Sequence, residues 1–211
     1  MSEKRTILTA AAFSALIALV AALIMGFGVQ VPDSTVILQP GPGPVSEFAR
    51  ATNEYPNQAL AFFAADSLFV LNYLMVFVGL FERVKGRGRG LALIGLGAGI
   101  LTALCDASEN AHFITYALLA QNGVPLTDPA VLTIGLLGNL KWMASFATLY
   151  AFGLIWPTDG WLNRSIKVLM LLFPLVGVLG VALPGLIAFR GLFFLVGMPL
   201  FAVLFWRGRE A

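Results

Sequence analysis

Six stretches of this chain are apolar almost without interruption, near residues 6–28, 57–82, 90–118, 130–156, 163–183 and 186–206, and polar residues cluster between them. Each stretch meets the roughly 20 residues that a helix needs to cross about 30 Å of hydrocarbon. The pattern predicts an all-α, polytopic membrane protein with six transmembrane helices in one bundle, a single domain over residues 1–211. The first stretch follows Lys4 and Arg5, as a signal peptide would. Its apolar run of about 19 residues exceeds the 7 to 15 of a signal h-region, so it is read as a retained anchor.

The longest segment between stretches, 29–56, contains a Gly/Pro cluster from Pro40 to Pro44 that cannot continue a helix. Beyond it, Val45, Phe48, Thr52 and Tyr55 recur at helical spacing, with Glu47, Arg50 and Glu54 elsewhere on the turn. This predicts a short amphipathic helix lying on the membrane surface, as a lid over a site or as a tether between the first two spans. Gly95, Gly97 and Gly99 predict close helix packing by the third span. Pro174 and Pro199 interrupt the fifth and sixth spans, and Pro184-Gly185 makes the connection between those two short, so they are expected to be antiparallel neighbours.

Composition strengthens the membrane reading. Hydrophobic residues make up 59% and charged residues 11%, against about a quarter charged in soluble domains. The basic residues divide unevenly between the two sides. Lys4, Arg5, Arg83, Lys85, Arg87, Arg89, Arg164, Lys167, Arg207 and Arg209 fall on one, and only Arg50 on the other. Cytoplasmic segments carry the Lys/Arg excess, which predicts cytoplasmic termini and an external 29–56 loop. The net charge of +2 follows from that asymmetry and implies no nucleic-acid partner. The run from Arg83 to Arg89 reads as a topology determinant able to attract anionic lipid heads.

A single cysteine, Cys105, excludes an internal disulfide and cysteine-ligated clusters, and a single histidine, His112, excludes paired axial haem ligands. No metal or cofactor is therefore expected. His112 points away from the polar face of its helix and is expected to be a hydrogen-bonded packing residue.

The candidate chemistry lies inside the spans, where Asp66, Asp106, Glu109, Lys141 and Arg190 are each costly, at roughly 2.5 to 3.5 kcal/mol on insertion scales. Counting about 1.5 Å per residue from each span's centre brings all five to one layer in the outer half of the bilayer. Asp106, Glu109 and Asn110 share a helical face, as do Asp66 with Tyr73 and Lys141 with Ser145 and Thr148, whereas Asn139 points nearly opposite to Lys141. The predicted site comprises Asp66, Asp106, Glu109 and Lys141 as catalytic groups. Tyr73, Asn110, Trp142 and Arg190, the last at the outer rim, are the binding groups. Phe62, Phe63, Phe69, Phe113 and Tyr116 are expected to form apolar walls with Trp142.

Three carboxylates face two cations, so one carboxylate is expected to carry a proton at neutral pH, with Asp106 or Glu109 as general acid, Asp66 as partner base and Lys141 as electrostatic stabiliser. Buried ion pairs that merely tie the bundle together are the plainer account of the same residues. The Glu-Glu…Arg pattern of intramembrane CAAX-type proteases and the Asn-Asp-x-x-Asp motif of aromatic prenyltransferases are absent, and no internal repeat of the kind common in transporters is evident. The sequence thus favours a membrane protein that binds, and can convert by non-redox acid–base chemistry, a lipid-like or isoprenoid-like molecule. Its partners would be membrane lipids, that lipid-like small molecule and, as a subunit of a larger complex, another membrane protein. A proton-coupled carrier is the alternative.

Overall fold

The computed structural model describes residues 2–29, 45–186 and 189–210. The Pro40 to Pro44 cluster lies outside them. Helices α1 (Glu3–Leu23), α2 (Val45–Glu54), α3 (Pro56–Val84), α4 (Arg89–Gln121), α5 (Asp128–Ile155), α6 (Gly160–Ala182) and α7 (Phe189–Gly208) follow in order. A wider π-helical turn, Ile24–Gly28, prolongs α1. Six of these elements, all but α2, are long and apolar enough to cross a membrane, as the apolar pattern requires.

The six long helices form a ring in chain order. Each of α3 to α7 packs on its predecessor among the six, and α7 closes the ring against α1. The antiparallel pairing of α6 and α7 follows from the short turn at Pro184–Leu186. Helices α3 and α4 extend past the apolar stretches at their ends; α4, with 33 residues, reaches about 50 Å. Backbone hydrogen bonding carries a helix on into the interfacial layer where side-chain hydropathy has already fallen. The turn after α4 requires glycine: Gly123 has φ 78°, in the left-handed region.

Small residues set the closest approaches. In α1, Ala11, Ala12, Ala15, Ala18 and Ala21 are all buried, and Ala11 sits directly against Gly79 of α3. A Cβ added at Gly95 would lie 2.8 Å from the Phe152 ring, and one at Gly99 2.7 Å from Phe77. Gly97, between them in sequence, has nothing within 4 Å. Only two of the three glycines therefore serve packing. Gly99→Ala is expected to cost about 1 to 3 kcal/mol through overpacking, and Gly97→Ala to be neutral or stabilising because alanine is the better helix former. Unfolding in mixed micelles distinguishes the two; equal effects would contradict this packing.

Helix α2 is amphipathic, as its spacing predicts, but its apolar face meets protein rather than lipid. Phe48, Ala49, Ala51 and Thr52 are buried against the ends of α3, α4 and α5. The Phe48 ring packs 4.8 Å from Phe113 and 6.5 Å from Phe63, and Phe63 and Phe113 stack at 4.8 Å. Asn53 fastens the helix to the turn before α5, accepting from the Leu126 N–H at 2.7 Å and donating to the Leu126 carbonyl at 3.0 Å. Arg50 and Glu54 pair on the exposed side. The protein ends supply an apolar surface that matches Phe48, so the helix caps the bundle.

Candidate functional site

Beneath that cap, α3, α4 and α5 bring a polar cluster together. Asp66 lies one turn below Phe63 on α3, and Glu109 and Asn110 lie one turn below Phe113 on α4. The same face of α4 carries Asp106 a turn deeper, and Lys141 projects from α5. Lys141 Nζ donates to Asp106 Oδ1 at 2.8 Å and lies 2.6 Å from Glu109 Oε2, an ion pair not aligned as a hydrogen bond. Tyr73 Oη donates to the other oxygen of Asp106 at 2.9 Å. Both oxygens of Asp106 are thereby committed. The network is shut away from solvent: Asp66, Asp106, Glu109 and Asn110 are each 7% exposed or less.

Two members are less fully partnered. Asp66 lies within interaction range of the Asn110 amide, yet neither amide atom of Asn110 makes a well-formed hydrogen bond. Asp66 itself makes no ion pair with a basic side chain among the described residues. The remaining oxygen of Glu109 faces Gly138, where an added Cβ would stand 3.2 Å from Oε1. Gly138 thus makes room for the carboxylate. Sequence reasoning missed it, although it lies three residues before Lys141 and so on the same side of α5.

Arg190 departs from expectation. Its guanidinium stacks over Trp142 at 4.2 Å and near Phe146 at 5.7 Å, with a long hydrogen bond of 3.4 Å to the Gly177 carbonyl. It pairs with no carboxylate among the described residues. A guanidinium is weakly hydrated and stacks readily on aromatic faces, which holds it to α5 and α6. The inner cluster therefore has three carboxylates to one lysine, a larger imbalance than the sequence count suggested. Trp142 links the two cations, with Lys141 Nζ 5.9 Å from the same ring.

Aromatic rings carry the wall inward from the site. Tyr73 packs between Phe69 and Phe77, Phe69 meets Phe194, and Phe194 meets both Phe173 and Trp142. Phe62, Phe63 and Phe113, by contrast, belong to the capping cluster under α2, with Tyr116 packed at its margin. Beside the aromatic wall, between α6 and α7, lies an apolar cavity of about 330 Å³ lined by Leu169, Val176, Leu186, Phe189, Leu192, Phe193 and Val196.

The other polar residues behave as local structure. Ser145 and Thr148 share the Lys141 face but bond back to the Trp142 and Ala144 carbonyls. His112 bonds the Ser108 carbonyl of its own helix through Nδ1 at 2.7 Å, the hydrogen bond expected of it, but its side chain is exposed and not packed in the bundle. No group of three histidine, cysteine or acidic side chains among the described residues is arranged to hold a metal ion.

No protein-family model matches the chain. Neither does any curated protein or any solved structure.

Proposed function

We propose that this multi-pass membrane protein binds the polar head of a lipid-like or isoprenoid-like molecule at the Lys141 cluster and exchanges a proton with it, without redox chemistry. The observation that carries this reading is the Lys141 ammonium held between Asp106 and Glu109, in a closed site with a third carboxylate, Asp66, alongside. One cation cannot balance three carboxylates in a low-dielectric interior, so the cluster holds at least one proton that can be given up.

The geometry supports a division of roles. Asp106, fixed by Lys141 and Tyr73, orients the lysine. Glu109, with one oxygen free beside Gly138, and Asp66, with no basic partner among the described residues, suit an acid–base pair in which whichever holds the proton is the acid. Lys141 stabilises negative charge developing on a bound molecule. Asn110, with an uncommitted amide, and the Tyr73, Trp142 and Arg190 side chains orient the head. The apolar cavity between α6 and α7 and the aromatic wall behind it are surfaces on which a hydrocarbon chain would rest.

Native mass spectrometry of the protein incubated with a membrane lipid extract tests the reading. The expected result is a retained amphiphile whose mass changes with time in the wild type and not in Glu109→Gln. Binding of bulk phospholipid alone, identical in both proteins, would contradict it. The burial of the three carboxylates and Asn110 also favours a second reading, a proton-coupled carrier caught occluded. That reading expects uptake into proteoliposomes driven by a pH gradient, with no chemical change in the molecule carried.

The distribution of basic residues supports cytoplasmic termini, which would place α2 outside and the cluster in the outer half of the bilayer. In a Cys105→Ala background, Glu47→Cys should react with a membrane-impermeant thiol reagent in intact cells and Ser165→Cys should not; both positions are exposed. The reverse labelling pattern would invert the orientation.

A further inference from the structure

Helix α5 turns Lys141 inward and Asn139 outward, and the outward face forms a regular pattern. Leu132, Leu136, Asn139, Met143, Ala147, Tyr150 and Leu154 recur every three or four residues, and all are exposed. Less than a third of the most apolar stretch of α5 is buried by the rest of the bundle, about as little as in α1, α6 and α7. Asn139 stands three residues from the midpoint of the span Pro129–Ile155, about 4.5 Å from the bilayer centre. Its amide bonds with nothing among the described residues.

A primary amide facing hydrocarbon has no water to satisfy two donors and an acceptor, which is a costly state for a membrane helix. An apolar seam at heptad-like spacing with one central asparagine is also the pattern by which a polar residue fixes the register of paired helices. We infer that α5 is the interface of a homodimer, in which Asn139 hydrogen-bonds Asn139 of a second copy across a two-fold axis along the membrane normal.

The second copy is favoured over other occupants by depth and chemistry. Copies inserted in the same orientation bring the two amides to the same level without adjustment, and an amide is both donor and acceptor, so it can pair reciprocally with itself. A lipid chain offers neither group. The flanking Leu136 and Met143 would close the seam on either side, and Ala147 would let the helices approach. The inward face, with the Lys141 cluster, stays untouched by this contact, so the inference stands independently of the function proposed for that cluster.

The test uses the full-length protein in lipid bilayers at dilute protein-to-lipid ratios, with dimer fraction read by single-molecule photobleaching. Wild type is expected to dimerise, Asn139→Leu to weaken the dimer about tenfold, and Asn139→Gln, which keeps the amide, to retain most of the association. Leucine at a lipid-facing position suits the monomer, so loss of dimer cannot be ascribed to misfolding. In a Cys105→Ala background, Leu136→Cys and Met143→Cys should cross-link between copies, and Leu175→Cys on the exposed face of α6 should not. A monomeric wild type, a dimer indifferent to Asn139→Leu, cross-linking through α6 instead, or a heteromer with another protein would each overturn the inference.

Discussion

Replacing Lys141 with methionine should destabilise the protein by about 3 to 5 kcal/mol, the usual loss when one member of a buried ion pair is removed. The side chain is only 15% exposed and holds two carboxylates at once. Without it, Asp106 keeps the Tyr73 hydroxyl, while Glu109 keeps no ion pair among the described residues. Protons taken up by the orphaned groups would limit the loss and make it depend on pH. The expected signature is recovery: Lys141→Met combined with Asp106→Asn and Glu109→Gln should regain much of the stability, because neutral amides leave no uncompensated charge. Unfolding in mixed micelles measures all three steps. If the losses simply add, the lysine and the carboxylates do not act as a unit.

The second large effect is expected at the cap. Phe48 is 3% exposed and packs on Phe63 and Phe113 directly above the turn that carries Asp66, Glu109 and Asn110. Phe48→Ala should cost about 3 kcal/mol, at the low end for buried phenylalanine because α2 is an outer element. Its more telling consequence is access. With the ring gone, Asn110→Cys, placed in a Cys105→Ala background, should react with a water-soluble thiol reagent at least tenfold faster than it does beneath an intact cap. An unchanged rate would mean that α2 is a tether and not a lid.

The fold was legible in the sequence because membrane helices satisfy their own backbone hydrogen bonds. Span number and order can then be read from hydropathy alone. The faces of α3, α4 and α5 were legible for a related reason: a charge within a span has to point inward, so helical periodicity identified the groups that meet, Asp106 with Lys141 and Tyr73 among them. What periodicity does not carry is the partner each face finds. Arg190 was placed at the rim by depth, but aromatic rings on α5, distant in sequence, decided where its guanidinium rests. The apolar face of α2 was equally compatible with lipid and with protein, and only the assembled ends of three other helices show that Phe48 has a socket. Gly138 escaped notice because a missing side chain leaves no chemical signal; its role appears only once Glu109 is opposite it.

The proposed chemistry requires the cluster to store a proton, three carboxylates sharing one ammonium. Infrared difference spectroscopy of the protein in lipid, with pH stepped through neutrality, reads this directly from the C=O stretch of protonated carboxylic acid. At pH 7 such a band should be present and should disappear in either Asp66→Asn or Glu109→Gln, identifying the group that holds the proton. Spectra showing all three carboxylates ionised at pH 7 would contradict the claim and leave the cluster as a structural tie between α3, α4 and α5.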